Sequence, residues 1–181
     1  MPSSAAELVE LLDLETIDVN LFRGKQPDTQ MQRTFGGQVA GQALVAAART
    51  ASDETVVHSL HSYFLRPGDP AVPIVYDVER VRDGRSFATR RVLARQHGRP
   101  IYGMTASFQV AEKGFEHQDA MPDVPGPQDS FDVTEWMSSD ERRREEWLRE
   151  WSALDLRLAR REPGLGQEDG STGPVAVDYW I

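Results

Sequence analysis

Cysteine is absent from this 181-residue sequence, so it offers no disulfide framework, no thiolate nucleophile and no Cys-ligated zinc or iron–sulfur site. Also missing is any apolar run near the ~20 residues that cross a membrane, and the start, Met1-Pro2-Ser3-Ser4-Ala5-Ala6-Glu7, has no basic n-region. Positive charge is in deficit. The chain carries 29 acidic against 20 basic residues, a net charge of −9, which removes the sequence-independent attraction to phosphate backbones and anionic membranes. The expectation is a soluble, cytoplasmic protein that binds neither nucleic acid nor membrane. A few well-placed arginines or a helix N-terminus can still hold an anionic ligand in such a protein.

What is present suits a folded domain. Hydrophobic residues make up 39% of the chain and charged residues 27%, and the length allows one sizeable core plus the start of a second. Ser4-Ala5-Ala6-Glu7 has the capping-box spacing, and Leu8, Leu11 and Leu12 follow at helical intervals, predicting a short helix to about Leu14. Asn20 to Gly24 reads as a brief strand and Lys25 to Arg33 as a polar loop. From Gly37 to Thr50, Gly37, Ala40, Gly41, Leu44, Ala47 and Ala48 recur at three- and four-residue steps, which makes a helical face of small residues that another backbone can approach closely.

Four strand-like runs follow: Thr55 to Leu65, Val72 to Arg82, Ser86 to Gln96 and Pro100 to Ala111. Asp83-Gly84 and His97-Gly98 mark tight turns between them, and the pattern predicts an antiparallel meander curling around the helix. In the last run Tyr102, Met104, Ala106, Phe108 and Val110 alternate with polar or small residues, giving one apolar and one polar face. From Gly114 to Ser130 the Pro- and Gly-rich chain reads as a linker. Ser139 to Trp151 reads as a charged helix with Trp147 and Trp151 on one face, Arg160 to Gly173 as a loop, and Val175 to Ile181 as a strand.

Several residues are candidates for chemistry. Gly36, Gly37 and Gln38 open the small-residue helix, where free N–H groups can receive a thioester oxygen or a phosphate. His58 and His61 titrate in the useful range. Their three-residue spacing puts them on opposite faces of a regular strand, wrong for a metal pair, and no metal site is expected. His58, nearer the strand start, is the better functional candidate, with a hydrogen-bonded structural histidine as the plainer reading of either. Gln109 lies on the polar face beside Thr105 and Ser107. Arg66, Arg82, Arg85, Arg90 and Arg91 offer local positive charge or simply solubilise sheet edges. The helix from Gly37 to Arg49 has no Asp or Glu, and Gln38 and Gln42 can orient water but cannot usefully accept a proton.

Together, Leu21-Phe22-Arg23-Gly24, Phe35-Gly36-Gly37-Gln38-Val39-Ala40-Gly41-Gln42-Ala43-Leu44 and Val57-His58-Ser59-Leu60-His61-Ser62-Tyr63-Phe64-Leu65-Arg66-Pro67-Gly68 resemble the acyl-CoA thioesterase II family. Arg82-Asp83-Gly84-Arg85-Ser86-Phe87, Ala106-Ser107-Phe108-Gln109 and Gly114-Phe115-Glu116-His117-Gln118 continue the match in order. The resemblance implies an α+β hotdog fold, an antiparallel sheet wrapped around a central helix, occurring twice in one polypeptide. On this reading residues 1–113 are a hotdog domain, 114–174 a linker with a charged helix, and 175–181 the start of a second, incomplete repeat.

It implies hydrolysis of fatty acyl-CoA to free acid and coenzyme A without a metal or redox cofactor. The family's acid, hydroxyl and amide lie in the second repeat. Aligned on Phe-Leu-Arg-Pro, the hydroxyl position falls near Val57, and only the amide has a counterpart here, Gln109. Activity is therefore expected to need a second repeat, through a homo-oligomer or association with one. Rival readings are a non-catalytic acyl-CoA-binding or regulatory module, and a hotdog dehydratase or hydratase, which would require an acid that the central helix does not carry.

Overall fold

The computed structural model describes residues 1–137, 139–159 and 178–181. The chain divides into two compact units, 6–115 and 116–181 together with 1–5. The first holds α1 (Ala5–Leu12, beginning one residue earlier), β1 (Glu15–Asp18), β2 (Leu21–Gly24), α2 (Gly36–Ala48), β3 (Thr55–Phe64), β4 (Ile74–Asp83), β5 (Phe87–Gln96) and β6 (Arg99–Val110). All six strands form one antiparallel sheet in the order β1-β2-β4-β5-β6-β3, and α2 packs on β4, β5 and β6. This is the expected α+β hotdog, with one difference of topology. Only β4, β5 and β6 form a meander. β3 crosses over to pair with β6 at the far edge, while β2 occupies the side of β4 that a four-strand meander would give to β3.

The turns differ as well. Asp83-Gly84 does not make the two-residue turn its composition suggests. β4 and β5 are joined through Gly84–Ser86, with Gly84 N–H donating to Phe87 O at 2.8 Å. The left-handed pair is instead His97 (φ 49°) and Gly98 (φ 70°), which closes β5 onto β6 in the conformation that suits the sheet twist. β1 was not anticipated, since all four of its residues are exposed and no alternation announces it.

Why α2 can lie so close is visible in its composition. Ala43, Ala46 and Ala47 are fully buried, and opposite them stand Tyr76, Val92, Ala94, Tyr102, Met104, Ala106 and Phe108, all on one face of the sheet. Short side chains bring the helix backbone near the strands, and the larger strand residues fill what remains. The alternation read in β6 is therefore real: Tyr102, Met104, Ala106 and Phe108 face the helix.

Two buried polar side chains lock this arrangement. Gln42, fully buried on α2, donates to Leu11 O (2.8 Å) and Lys25 O (3.2 Å) and accepts from the Tyr76 hydroxyl at 2.8 Å. Burial pushes the Tyr76 phenol well above its ordinary range, so it remains a donor at any working pH. Arg90, also on the inner face, gives hydrogen bonds to Thr50 Oγ1, Thr50 O and Arg82 O and pairs with Asp83, tying the end of α2 to the β4–β5 connection. Arg90 is thus a structural cation.

The second unit contains β7 (Phe131–Asp132), α3 (Val133–Trp136), α4 (Glu141–Trp151), β8 (Arg157–Leu158) and β9 (Tyr179–Trp180), with the short strands in a three-stranded antiparallel sheet. Asp132 caps α3 through Thr134 N, and Asp140 caps α4 through Arg143 N. The Trp147 and Trp151 rings lie 6.0 Å apart on α4, the shared face expected of them. The loop expected over 160–173 and the strand start over 175–177 lie outside the described residues.

A test of this core is Tyr76→Phe, which leaves the buried Gln42 Oε1 without its donor. Urea unfolding should show a loss of about 1–3 kcal/mol with an unchanged m-value.

Candidate functional site

The start of α2 is open. Phe35 is its N-cap with extended backbone (φ −63°, ψ 130°) and no side-chain cap, so the first N–H groups, those of Gly36, Gly37 and Gln38, have no acceptor within the helix. Beside it lies a cleft of about 390 Å³ whose walls include Arg33, Gly36, Val39, Phe64, Arg66 and Ile101. Gly36 makes room for Phe64: a Cβ on Gly36 would come within 3.1 Å of the Phe64 ring. Arg33 and Arg66 are both exposed, and Arg66 is braced by a 2.7 Å hydrogen bond from Nη1 to Pro100 O. The cleft therefore joins backbone donors, two guanidinium groups and an apolar wall, a combination suited to a ligand with an acyl carbonyl and anionic groups.

The chain around the cleft is held by amides. Gln38 is buried and donates to Lys25 O (3.2 Å) and Gln26 Oε1 (2.9 Å), so its side chain ties down the loop before the helix while its N–H belongs to the helix start. Gln26 in turn donates to Val72 O at 2.9 Å, and Gln96 donates to Asp69 O at 2.8 Å. Asp69 accepts from Ala71 N–H at 2.9 Å and contacts His97 Nε2 at 3.1 Å. These hydrogen bonds, the Ala71 amide first and His97 second, hold its carboxyl below the usual aspartate range.

His58 and Gln109 lie on the other face of the sheet. A bulge between Val57 and Ser59 inserts His58 as an extra residue in β3. Its Nε2 is 2.9 Å from Ser107 Oγ, and its ring meets Phe87 edge-on at 6.0 Å. His61, opposite Thr105, stacks its ring edge on Tyr63 at 4.8 Å. The bulge shifts the alternation by one, so both histidines share the outer face, contrary to the opposite faces a regular strand would give them. Gln109 pairs in register with Val56 and Phe87 on that same outer side. The structure thus sets Gly36 in the cleft wall, with Gly37 and Gln38 following in the same helical turn but not among its lining residues, and sets His58, Ser107 and Gln109 together on the outer face of the sheet, without joining the two groups.

Of the arginines singled out in the sequence, Arg66 reaches the cleft, while Arg91 pairs with Glu79. Arg33, Phe64 and Ile101 were missed as site residues. Arg33 sat in a stretch read only as polar loop, and nothing in its neighbours' spacing distinguishes it.

With this geometry in view, known proteins give a consistent picture. Residues 25–109 match the family model of the acyl-CoA thioesterase N-terminal domain. The Haemophilus influenzae protein named acyl-CoA thioesterase 2 is 52% identical over 125 residues, covering 69% of this chain and 44% of its own length. Human acyl-coenzyme A thioesterase 8 is 51% identical over 123 residues, 67% of this chain and 39% of that protein. Among solved structures, the acyl-CoA thioesterase II TesB2 of Mycobacterium marinum superposes with a TM-score of 0.61 at 55% identity, covering 66% of this chain and 44% of that one. The chain spans less than half the length of each of these relatives.

The depressed Asp69 carboxyl yields a solution prediction. Its folded value is lowered, so the contribution it makes is complete above the unfolded value of about 3.9 and is lost as pH falls through the lower folded one. In an NMR titration the Ala71 amide should move with a midpoint below 3.9 and lose that step in Asp69→Asn. A midpoint at or above 3.9 would contradict the two hydrogen bonds.

Proposed function

We propose that this chain, whose residues 25–109 match the N-terminal domain of acyl-CoA thioesterases, supplies the first hotdog repeat of an enzyme that hydrolyses fatty acyl-CoA to the free acid and coenzyme A. The observation that carries the reading is the cleft at the start of α2, where Gly36, whose N–H has no acceptor within the helix, lines one space with Arg33 and Arg66. In the reaction, water adds to the thioester carbon, the carbonyl oxygen gathers negative charge, and the C–S bond breaks to release the thiol. Backbone donors at Gly36 and Gly37 are suited to that oxyanion. The arginines offer charge for the coenzyme's phosphates.

A base must take the proton from water, and α2, Gly-Gly-Gln-Val-Ala-Gly-Gln-Ala-Leu-Val-Ala-Ala-Ala, has none. His58 is the titratable candidate in β3 and Gln109 the amide candidate in β6, but both stand across the sheet from the cleft. We therefore assign the base to a second hotdog repeat and propose that the first repeat works in association with one. The exposed edge supports this. β3 is ten residues long, about 33 Å at ~3.3 Å per residue, and has no strand on its outer side among the described residues, while Leu60, Tyr63, Phe64 and Leu65 are exposed.

The lack of a carboxylate on α2 also favours a second reading, an acyl-CoA-binding module without turnover. No helix among the described residues is long and apolar enough to cross a membrane. The cytoplasm is the compartment that we propose.

Thiol release from decanoyl-CoA tests the enzyme reading. The 181-residue chain alone should turn over ~10²–10⁴-fold more slowly than a two-repeat enzyme, the usual worth of a general base. Full activity that survives Gln109→Ala but vanishes in His58→Ala would instead place the base at His58. Binding with no turnover in any two-repeat combination would establish the module.

Sedimentation velocity tests the edge. The chain should associate at micromolar concentration, and Leu60→Lys, which sets a charge on the unpaired strand, should shift it toward monomer. A wild-type monomer at that concentration would refute the association.

A further inference from the structure

We propose that the hydroxyl of Tyr102 is a ligand donor covered by Phe64: when the Phe64 ring swings aside, the carbonyl oxygen of an acyl thioester in the cleft takes the hydrogen bond this hydroxyl lacks. The proposal rests on the acyl-CoA reading above and adds to it a residue that no sequence signal marks.

Tyr102 is completely buried, and its hydroxyl is the buried side-chain polar atom left without a hydrogen-bond partner among the described residues. Nearly all buried polar groups in folded proteins find a partner, so an exception calls for a reason. Tyr76 shows that the location itself is not the obstacle. The two tyrosines stand in one row across the sheet, Tyr76 opposite Ala94 and Ala94 opposite Tyr102, both facing α2. The Tyr76 hydroxyl donates to Gln42 at 2.8 Å, and the Tyr102 phenol is near enough to influence its titration.

The same row ends in Phe64, directly opposite Tyr102 on β3. Their rings lie 4.9 Å apart at 53°, and Phe64 is 63% exposed. One side of the Phe64 ring rests on Tyr102 and is crowded against the bare Cα of Gly36, while much of the rest meets solvent. An exposed aromatic held this way changes rotamer at small cost. Phe64 and Ile101, the residue before Tyr102, both line the cleft, so displacement of the Phe64 ring joins the Tyr102 position to that space. A thioester carbonyl accepts hydrogen bonds and brings no proton of its own, which matches a phenol with a free donor.

The test is calorimetric titration of the 181-residue chain with two non-hydrolysable coenzyme A thioethers of equal length, one an S-(2-oxoalkyl) compound whose ketone stands one methylene away from sulfur and one a plain S-alkyl chain. The carbonyl compound should bind about five- to tenfold more tightly, the worth of one neutral hydrogen bond. Tyr102→Phe should abolish that advantage, leave the plain compound unchanged, and raise the Tm of the unliganded protein, because an unpaired buried hydroxyl has been removed. Phe64→Ala should keep the advantage and speed association of both compounds.

Equal binding of the two compounds to wild type, or an advantage that persists in Tyr102→Phe, overturns the proposal. A fall in Tm for Tyr102→Phe overturns it as well, since the hydroxyl would then serve an internal partner such as a buried water. If neither compound binds, the acyl-CoA reading fails and takes this inference with it.

Discussion

The hotdog unit depends on how closely α2 approaches the sheet. Ala43, Ala46 and Ala47 have no exposed surface at all, and no larger side chain could occupy those positions without lifting the helix away from β4, β5 and β6. That distance decides the rest. It lets Gln42 reach Leu11, Lys25 and Tyr76 at once, it lets Arg90 reach the carbonyl of Thr50, and it sets the first turn of α2 beside Phe64. Gly24 shows how tight the fit is: a Cβ there would lie 2.3 Å from Gln42 Oε1, so the strand passes the buried amide only because it carries no side chain at that point.

Much of this was legible in the sequence because burial leaves a periodic trace. β4, β5 and β6 bury alternate residues, and α2 buries small residues at helical spacing, so their existence, type and inner faces could be read directly. Strand order could not be read, since a crossover and a hairpin connection look alike in composition. β3 was the hardest strand to place. As an edge it buries almost nothing, and its bulge at His58 changes the parity on which the facing of His58 and His61 was inferred. The helix start was legible as Gly36 and Gly37. The cleft around it was not, because Arg33, Phe64 and Ile101 come from segments more than thirty residues apart that only the crossover brings together.

The sheet separates two kinds of chemistry. Its inner face offers backbone donors, buried phenols and a space of ligand size, all under the influence of a helix N-terminus. Its outer face holds the titratable His58 with Ser107 and, further along, ion pairs such as Arg91–Glu79 in contact with water. A carbonyl bound at the helix start and a proton acceptor on the outer face have a layer of backbone between them. On the proposed reading the inner face of this unit polarises the substrate, and completing the reaction there calls for a group brought by another element.

The crossover that carries β3 to the far edge also governs the time course of folding. β2 waits for β4, some fifty residues later, and β3 waits for β6, whose pairing residues end at Val110. The β1–β2 hairpin and the β4–β5–β6 meander have short loops to close; the meander, the larger of the two, is the natural nucleus, and β2 and β3 find their places in the sheet only once it exists. On a ribosome that adds residues from the N-terminus, α2 and β3, with its exposed Val56, Leu60, Tyr63 and Phe64, emerge well before anything can pair with them. This topology therefore leaves the nascent chain with an extended period of aggregation risk, the interval in which a chaperone would find it.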